Sequence, residues 1–119
     1  MRHPQTPASP GRKPQVLKRE SFDQIAQRFH LLGEPTRLRI LFHLGANELS
    51  VGEIVQCTGA TQSNVSKHLA ALHNGGIVHR RRLGTSVLYS VADPTIFDLC
   101  DIVCGGIEQA LDHRRRAMR

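Results

Sequence analysis

The segment Thr61-Gln62-Ser63-Asn64-Val65-Ser66-Lys67-His68-Leu69-Ala70-Ala71-Leu72-His73-Asn74 sets Val65, Leu69 and Leu72 at helical spacing behind a crowd of short polar side chains. Thr61 is a natural cap for such a helix, and Gly75-Gly76 stop it. Gln62, Ser63, Asn64, Ser66, Lys67 and His68 gather towards its N-terminal end, where each can donate or accept a hydrogen bond. A helix that enters the major groove of duplex DNA needs such residues at that end, so these six are the candidate DNA contacts. An ordinary solvated helix face would show the same polarity. The neighbouring segments separate the two uses.

Just upstream, Ser50-Val51-Gly52-Glu53 is a capping-box pattern, a hydroxyl followed three residues later by an acid. It opens a short helix from Val51 to Cys57 that ends at Gly59. Two short helices joined through Gly59-Ala60 make a helix-turn-helix. Just downstream, Ile77-Val78-His79-Arg80-Arg81-Arg82 and Ser86-Val87-Leu88-Tyr89-Ser90-Val91 are β-favouring and flank Leu83-Gly84-Thr85, which predicts a hairpin with glycine at its turn. Alternate side chains on a strand face opposite ways, so the three arginines cannot share one surface. Arg82, nearest the tip, is the candidate for a phosphate or minor-groove contact; a charged edge strand that resists aggregation is the alternative.

Further out, Ser21 is the expected cap of a first helix with Phe22, Ile25, Ala26, Phe29, Leu31 and Leu32 as its apolar residues and Gly33 at its end. Pro35 suits the first turn of a second helix carrying Leu38, Ile40, Leu41 and Leu44 and closing near Gly45. Asp93-Pro94 are expected as cap and first residue of a last helix. The fold class is therefore mainly α with a small β-hairpin: a winged helix-turn-helix of four helices, two strands and a fifth helix. The chain has 119 residues, enough for one modest core. Residues 1–19 hold Pro4, Pro7, Pro10 and Pro14 and five basic residues without an acid. They are expected to form a disordered basic tail, either a solubilising leader or an arm on phosphates. Residues 20–119 are the expected DNA-binding and dimerisation domain.

Composition narrows the partners. Sixteen Lys and Arg against ten Asp and Glu leave a formal charge of +6, which favours an anionic partner such as nucleic acid. Trp is absent and aromatics are 4%, which argues against single-strand binding by base stacking. There is no apolar run long enough for a membrane helix and no apolar leader, so no membrane partner is expected. Three cysteines without a disulfide framework fit a reducing, cytoplasmic location. No Cys-x-x-Cys, glycine-rich phosphate loop or carboxylate pair points to catalysis, so the chain is not read as an enzyme.

Leu32-Gly33-Glu34-Pro35-Thr36-Arg37-Leu38-Arg39-Ile40-Leu41 resembles the second-helix opening of the ArsR/SmtB family of bacterial repressors. Ser63-Asn64-Val65-Ser66-Lys67-His68-Leu69-Ala70-Ala71-Leu72 resembles that family's recognition helix, and Gly76-Ile77-Val78 with the arginine-rich hairpin and Tyr89 resembles its wing. The resemblance spans residues 21–112. It implies a homodimer with the first and last helices at its interface, operator binding that blocks transcription, and an effector that weakens that binding. Metalloid sensors of the family carry two cysteines where this chain reads Glu48-Leu49-Ser50-Val51-Gly52, and both are missing. The positions of the family's zinc site read Asp93, Thr95, Gly106 and Gln109, of which only the aspartate matches.

The last helix has candidates of its own. Ile96, Cys100, Val103, Cys104, Ile107 and Leu111 share one stripe, with Cys100 and Cys104 adjacent at i and i+4. Paired with a twofold mate, as the resemblance implies, such a stripe brings two to four thiols together. Thiolates suit zinc, copper(I) or a thiophilic metalloid, so Cys100 and Cys104 are the candidate effector residues. The alternative is that they pack as small hydrophobes in a plain dimer seam. Asp98 and Asp101 flank them, either as solvated acids that favour the helix N-terminus or as further oxygen ligands, and Cys57 is expected in the core. His113 with Asp112 or Glu108 is a weaker metal candidate. The sequence thus reads as a repressor of double-stranded operator DNA, released by a metal or metalloid ion or a thiol-reactive effector. A winged-helix protein-interaction module, or a regulator without a thiol-sensed effector, is the alternative.

Overall fold

The computed structural model describes residues 18–118. The expected tail lies outside them except for Lys18 and Arg19, and Arg19 is already helical. Helix α1 runs Arg19–Leu32, two residues ahead of the expected Ser21 cap. The Ser21 amide instead donates to the Lys18 carbonyl at 3.0 Å, inside a first turn whose Glu20 complements the helix dipole. Helix α2, Pro35–Leu44, starts on Pro35 with Glu34 as its cap, and Gly45 ends it at a φ of 53° that side chains rarely adopt.

A two-residue strand β1, Leu49–Ser50, precedes α3, Val51–Thr58. The capping box of α3 is complete: Ser50 Oγ accepts from the Glu53 amide at 3.2 Å, and Glu53 accepts from the Ser50 amide at 2.9 Å. Gly59 then turns left-handed into α4, Gln62–Asn74, whose cap Thr61 accepts from the Asn64 amide at 3.2 Å. Strands β2, Val78–Leu83, and β3, Ser86–Val91, form the hairpin, with Leu83 opposite Ser86 across a turn that holds Gly84. The sheet has three strands rather than two, because β1 pairs with β3 through Leu49–Tyr89 and Ser50–Leu88. Two residues are too few to carry a periodic pattern; their partner on β3 makes them a strand.

Helix α5 runs Thr95–Ala117 and differs from expectation at its start. Pro94 holds the cap position, and the Asp93 carboxylate accepts from Arg28 of α1 at 3.3 Å. The chain divides into two compact units, one ending at Asp93 and the other containing α5. The core of the first unit is Ile40, Leu41 and Leu44 from α2, Ile54 from α3, Val65, Leu69 and Leu72 from α4, with Ile77, Val78 and Tyr89. Cys57 is not among them: it is exposed. Thr58, four residues after buried Ile54, takes the next inward place and donates its hydroxyl to the Ile54 carbonyl at 2.8 Å.

Apolar side chains left outside are concentrated on two helices. On α1 these are Phe22, Ile25 and Phe29; on α5 they are Ile102, Val103, Ile107 and Leu111. The core sets the expected stability losses. Leu69→Ala removes a fully buried side chain and is expected to cost roughly 2–5 kcal/mol. Ser50→Ala removes one cap and is expected to cost about 1 kcal/mol. Leu83→Ala, at the exposed wing tip, should leave the urea midpoint almost unchanged.

Candidate nucleic-acid interface and thiol pair

Helix α4 packs against α2, α3 and β2. Val65, Leu69 and Leu72 are fully buried there, which fixes the roll of the helix about its axis. Gln62, Ser63, Asn64, Ser66 and Lys67 are consequently exposed. Five of the six expected contacts on α4 thus share the open side of one helix, next to its N-terminus.

The sixth does not. His68 is 5% exposed and lies on the inward stripe 65, 68, 69, 72. Its Nδ1 accepts from Arg37 Nε at 3.1 Å, and its Nε2 lies 3.5 Å from Glu34 Oε2. His68 therefore leaves the set of base contacts, a correction that its spacing relative to Val65 and Leu72 already contained. Arg37 also donates to the Leu31 carbonyl at 3.3 Å, and Glu34 accepts from the Arg37 amide at 3.0 Å. Partial burial pushes the Glu34 carboxyl up, but hydrogen bonds from the Arg37 and Thr36 amides, with the Arg37 charge, outweigh it and hold the carboxyl below its usual range. Sequence reasoning missed Glu34 and Arg37 as members of this site. Glu34 before Pro35 signalled a helix cap; nothing local signalled residue 68 as its partner.

On the wing, Val78, Arg80 and Arg82 share one face of β2, opposite Val91, Tyr89 and Val87 on β3. Val78 and Tyr89 are buried at the inner end, while Arg80 and Arg82 emerge into solvent towards the tip. Neither has an ion-pair partner among the described residues. Arg81 points the other way and is held by Glu48 in a two-pronged pair at 2.6 and 2.7 Å. That hydrogen-bonded pair pulls the Glu48 carboxyl below its usual range and pushes the Arg81 guanidinium up. One arginine of the three is thus neutralised within the protein. Arg82, the expected contact, and Arg80, which sequence reasoning did not single out, are not neutralised in this way among the described residues.

On α5, Cys100 is half-buried and Cys104 exposed, one turn apart. Cys104 Sγ lies 3.8 Å from Glu108 Oε1. Desolvation, then the nearby Asp101 charge, pushes the Cys100 thiol up. No group of three or more His, Cys, Asp or Glu is gathered to hold a metal among the described residues. Asp112, weighed with His113 as a ligand, pairs with Arg116 at 3.0 Å. Cys100 and Cys104 are a set of two thiols on one helix. Such a set suits a soft ion and falls short of a closed tetrahedral zinc site. No helix among the described residues is long and apolar enough to cross a membrane.

A family model described as bacterial regulatory protein, arsR family, matches residues 34–80, from the cap of α2 to the start of the wing. The "Probable mercury resistance operon repressor" of Streptomyces lividans is 40% identical over 77 residues, spanning 65% of this chain and 62% of its own length. The transcriptional repressor SmtB homolog of Synechocystis sp. is 31% identical over 98 residues, spanning 82% of this chain and 74% of that protein. Among solved structures, the homodimeric winged helix-turn-helix DNA-binding domain Mb0332 of Mycobacterium bovis superposes with a TM-score of 0.67 at 31% identity, covering 88% of this chain and 95% of that one.

Thiol labelling reads the cysteine environments. Cys57 and Cys104, both exposed, are expected to react faster than Cys100 with a water-soluble disulfide reagent, and Cys57→Ser to remove part of that fast phase. The raised Cys100 thiol keeps its proton at neutral pH, so its modification should be slow there and accelerate as pH rises beyond the ordinary thiol range. A Cys100 rate as fast as that of Cys57 at pH 7 would contradict this.

Proposed function

This chain belongs to the ArsR/SmtB family of winged helix-turn-helix DNA-binding transcriptional repressors, and we propose that it occupies its operator as a homodimer and is released when a thiol-reactive effector reaches α5. The observation that carries the DNA reading is the roll of α4. With Val65, Leu69 and Leu72 inside, the polar residues at its N-terminal end face outward as a set. Gln62, Ser63, Asn64 and Ser66 present short hydrogen-bonding groups to base edges in the major groove. Lys67 and Arg82 meet phosphates, and Arg80, on the same face of the wing as Arg82, adds a third cation. Arg81 is excluded from that role by its pair with Glu48.

The homodimer reading rests on the apolar residues that α1 and α5 leave exposed, and on the homodimeric M. bovis relative. A twofold dimer presents two copies of α4 to a pseudo-palindromic site. Such a regulator works where the DNA is, in the cytoplasm, and not as an enzyme.

The effector reading rests on Cys100 and Cys104, two thiols one helical turn apart on an element free of other sulfur. Their softness matches a thiophilic cation or metalloid, or a sulfur electrophile that a thiolate attacks with loss of its leaving group. The S. lividans relative is a mercury resistance repressor by name, which makes mercuric ion the first probe to use.

Operator affinity against salt tests the DNA reading. Lys67→Ala and Arg82→Ala should each flatten the log–log salt slope by about 0.9 for one lost phosphate contact, while Arg81→Ala leaves it unchanged. Unaltered slopes for both Lys67→Ala and Arg82→Ala would remove the assignment, and indifference of the wild-type chain to duplex DNA at low salt would point to a protein-interaction module instead. For the effector, Cys100→Ser and Cys104→Ser should bind the operator as wild type does yet fail to let go on adding mercuric ion, arsenite or a persulfide. Variants that respond like wild type would reduce the thiols to packing.

A further inference from the structure

We propose that Arg37 is a positioning residue for DNA recognition: through the buried imidazole of His68 it locks the recognition helix α4 to the junction of α1 and α2. The inference rests on the reading of α4 as the base-contacting element and assigns what orients it.

The geometry dictates the chemistry of the lock. Arg37 Nε–H is always a donor, so the His68 Nδ1 it meets at 3.1 Å must be the bare, accepting nitrogen. The imidazole proton then sits on Nε2, which faces the Glu34 carboxylate at 3.5 Å. Glu34 is in turn held by the Arg37 amide at 3.0 Å, at the cap of α2. The second prong of the guanidinium reaches back to the Leu31 carbonyl in the last turn of α1. Four residues from three helices therefore join in one network. Burying a polar imidazole on an otherwise apolar stripe costs free energy unless it is bonded, so the bonded arrangement is strongly preferred over any rolled or shifted α4.

Apolar packing alone leaves a helix some freedom to slide and rotate against its neighbours, because hydrophobic contact is not directional. The directed bond from Arg37 to His68, with the Glu34 carboxylate on the other side of the ring, removes that freedom at the turn that carries Ser66 and Lys67. The same network ends on α1, whose outer side carries Phe22, Ile25 and Phe29. A displacement of α1 would therefore pull on Leu31, then Arg37, then α4. Arg37 does not itself meet DNA in this scheme, and that separates it from the phosphate contacts.

The test uses the full-length chain with Arg37→Lys, which keeps the charge but loses the planar fork, and His68→Leu, which keeps the packing but loses the bonds. A misaligned helix gives up base contacts and keeps phosphate contacts. Arg37→Lys and His68→Leu should each weaken operator binding about tenfold, the scale of one charge-assisted hydrogen bond, with affinity for random duplex and the salt slope unchanged. The double variant should be no worse than either single, because both remove the same link. The imidazole nitrogen spectrum should show a single Nε2–H tautomer in the wild type and a tautomer mixture in Arg37→Lys. Equal loss for operator and random duplex, a flattened salt slope, additive effects, or an unchanged tautomer in Arg37→Lys would each overturn the proposal. A wild-type chain that ignores duplex DNA would instead overturn the reading of α4, and the nitrogen spectrum would then judge the lock by itself.

Discussion

The burial of Val65, Leu69 and Leu72 against α2, α3 and β2 is the constraint from which the rest of the site follows. Those three side chains occupy one side of α4 and are fully withdrawn from water, so no other roll of the helix is compatible with the core. The polar N-terminal residues face outward as a consequence of that packing. Their exposure needs no further cause. His68 marks the edge of the same stripe, and there the core admits one polar group by giving it Arg37 and Glu34 as partners.

Charge on the wing is distributed by a similar logic. A run of three arginines is a concentrated like charge, and strand alternation splits it between two faces. The face turned away from the core finds Glu48, and its arginine is neutralised. The other face carries Arg80 and Arg82 past the end of the buried Val78 and Tyr89 with no ion-pair partner among the described residues. The wing is thus cationic on the face it shares with the core. An edge strand protected by charge alone would not need that asymmetry, although the protection operates as well.

Much of this was legible in order along the chain. The Ser50–Glu53 box, Thr61, Pro35, Gly59 and Gly84 each specify a local backbone event within three or four residues, and each stands where local chemistry put it. Local signals misled where a second partner was available. Ser21 is not the cap because the helix already begins at Arg19, and at the last helix the cap position falls on Pro94, one residue after Asp93, whose carboxylate accepts from Arg28. Cys57 was expected in the core because free cysteine usually is buried, but Thr58 holds the inward place on α3.

From its residues alone the chain determined the order and kind of its helices and hairpin, the apolar stripe of α4, the basic wing and the adjacency of Cys100 and Cys104. Each of those depends on spacings of four residues or fewer, or on the length of a turn. Tertiary structure alone decided that β1 exists, that Arg81 rather than Arg82 is neutralised, and that His68 faces Arg37 and not the groove. Each of those is a pairing between residues about thirty to forty positions apart. Hydrogen bonds and ion pairs are short-ranged and directional, so they exist only once packing has brought both partners to one place, and no local pattern can announce them.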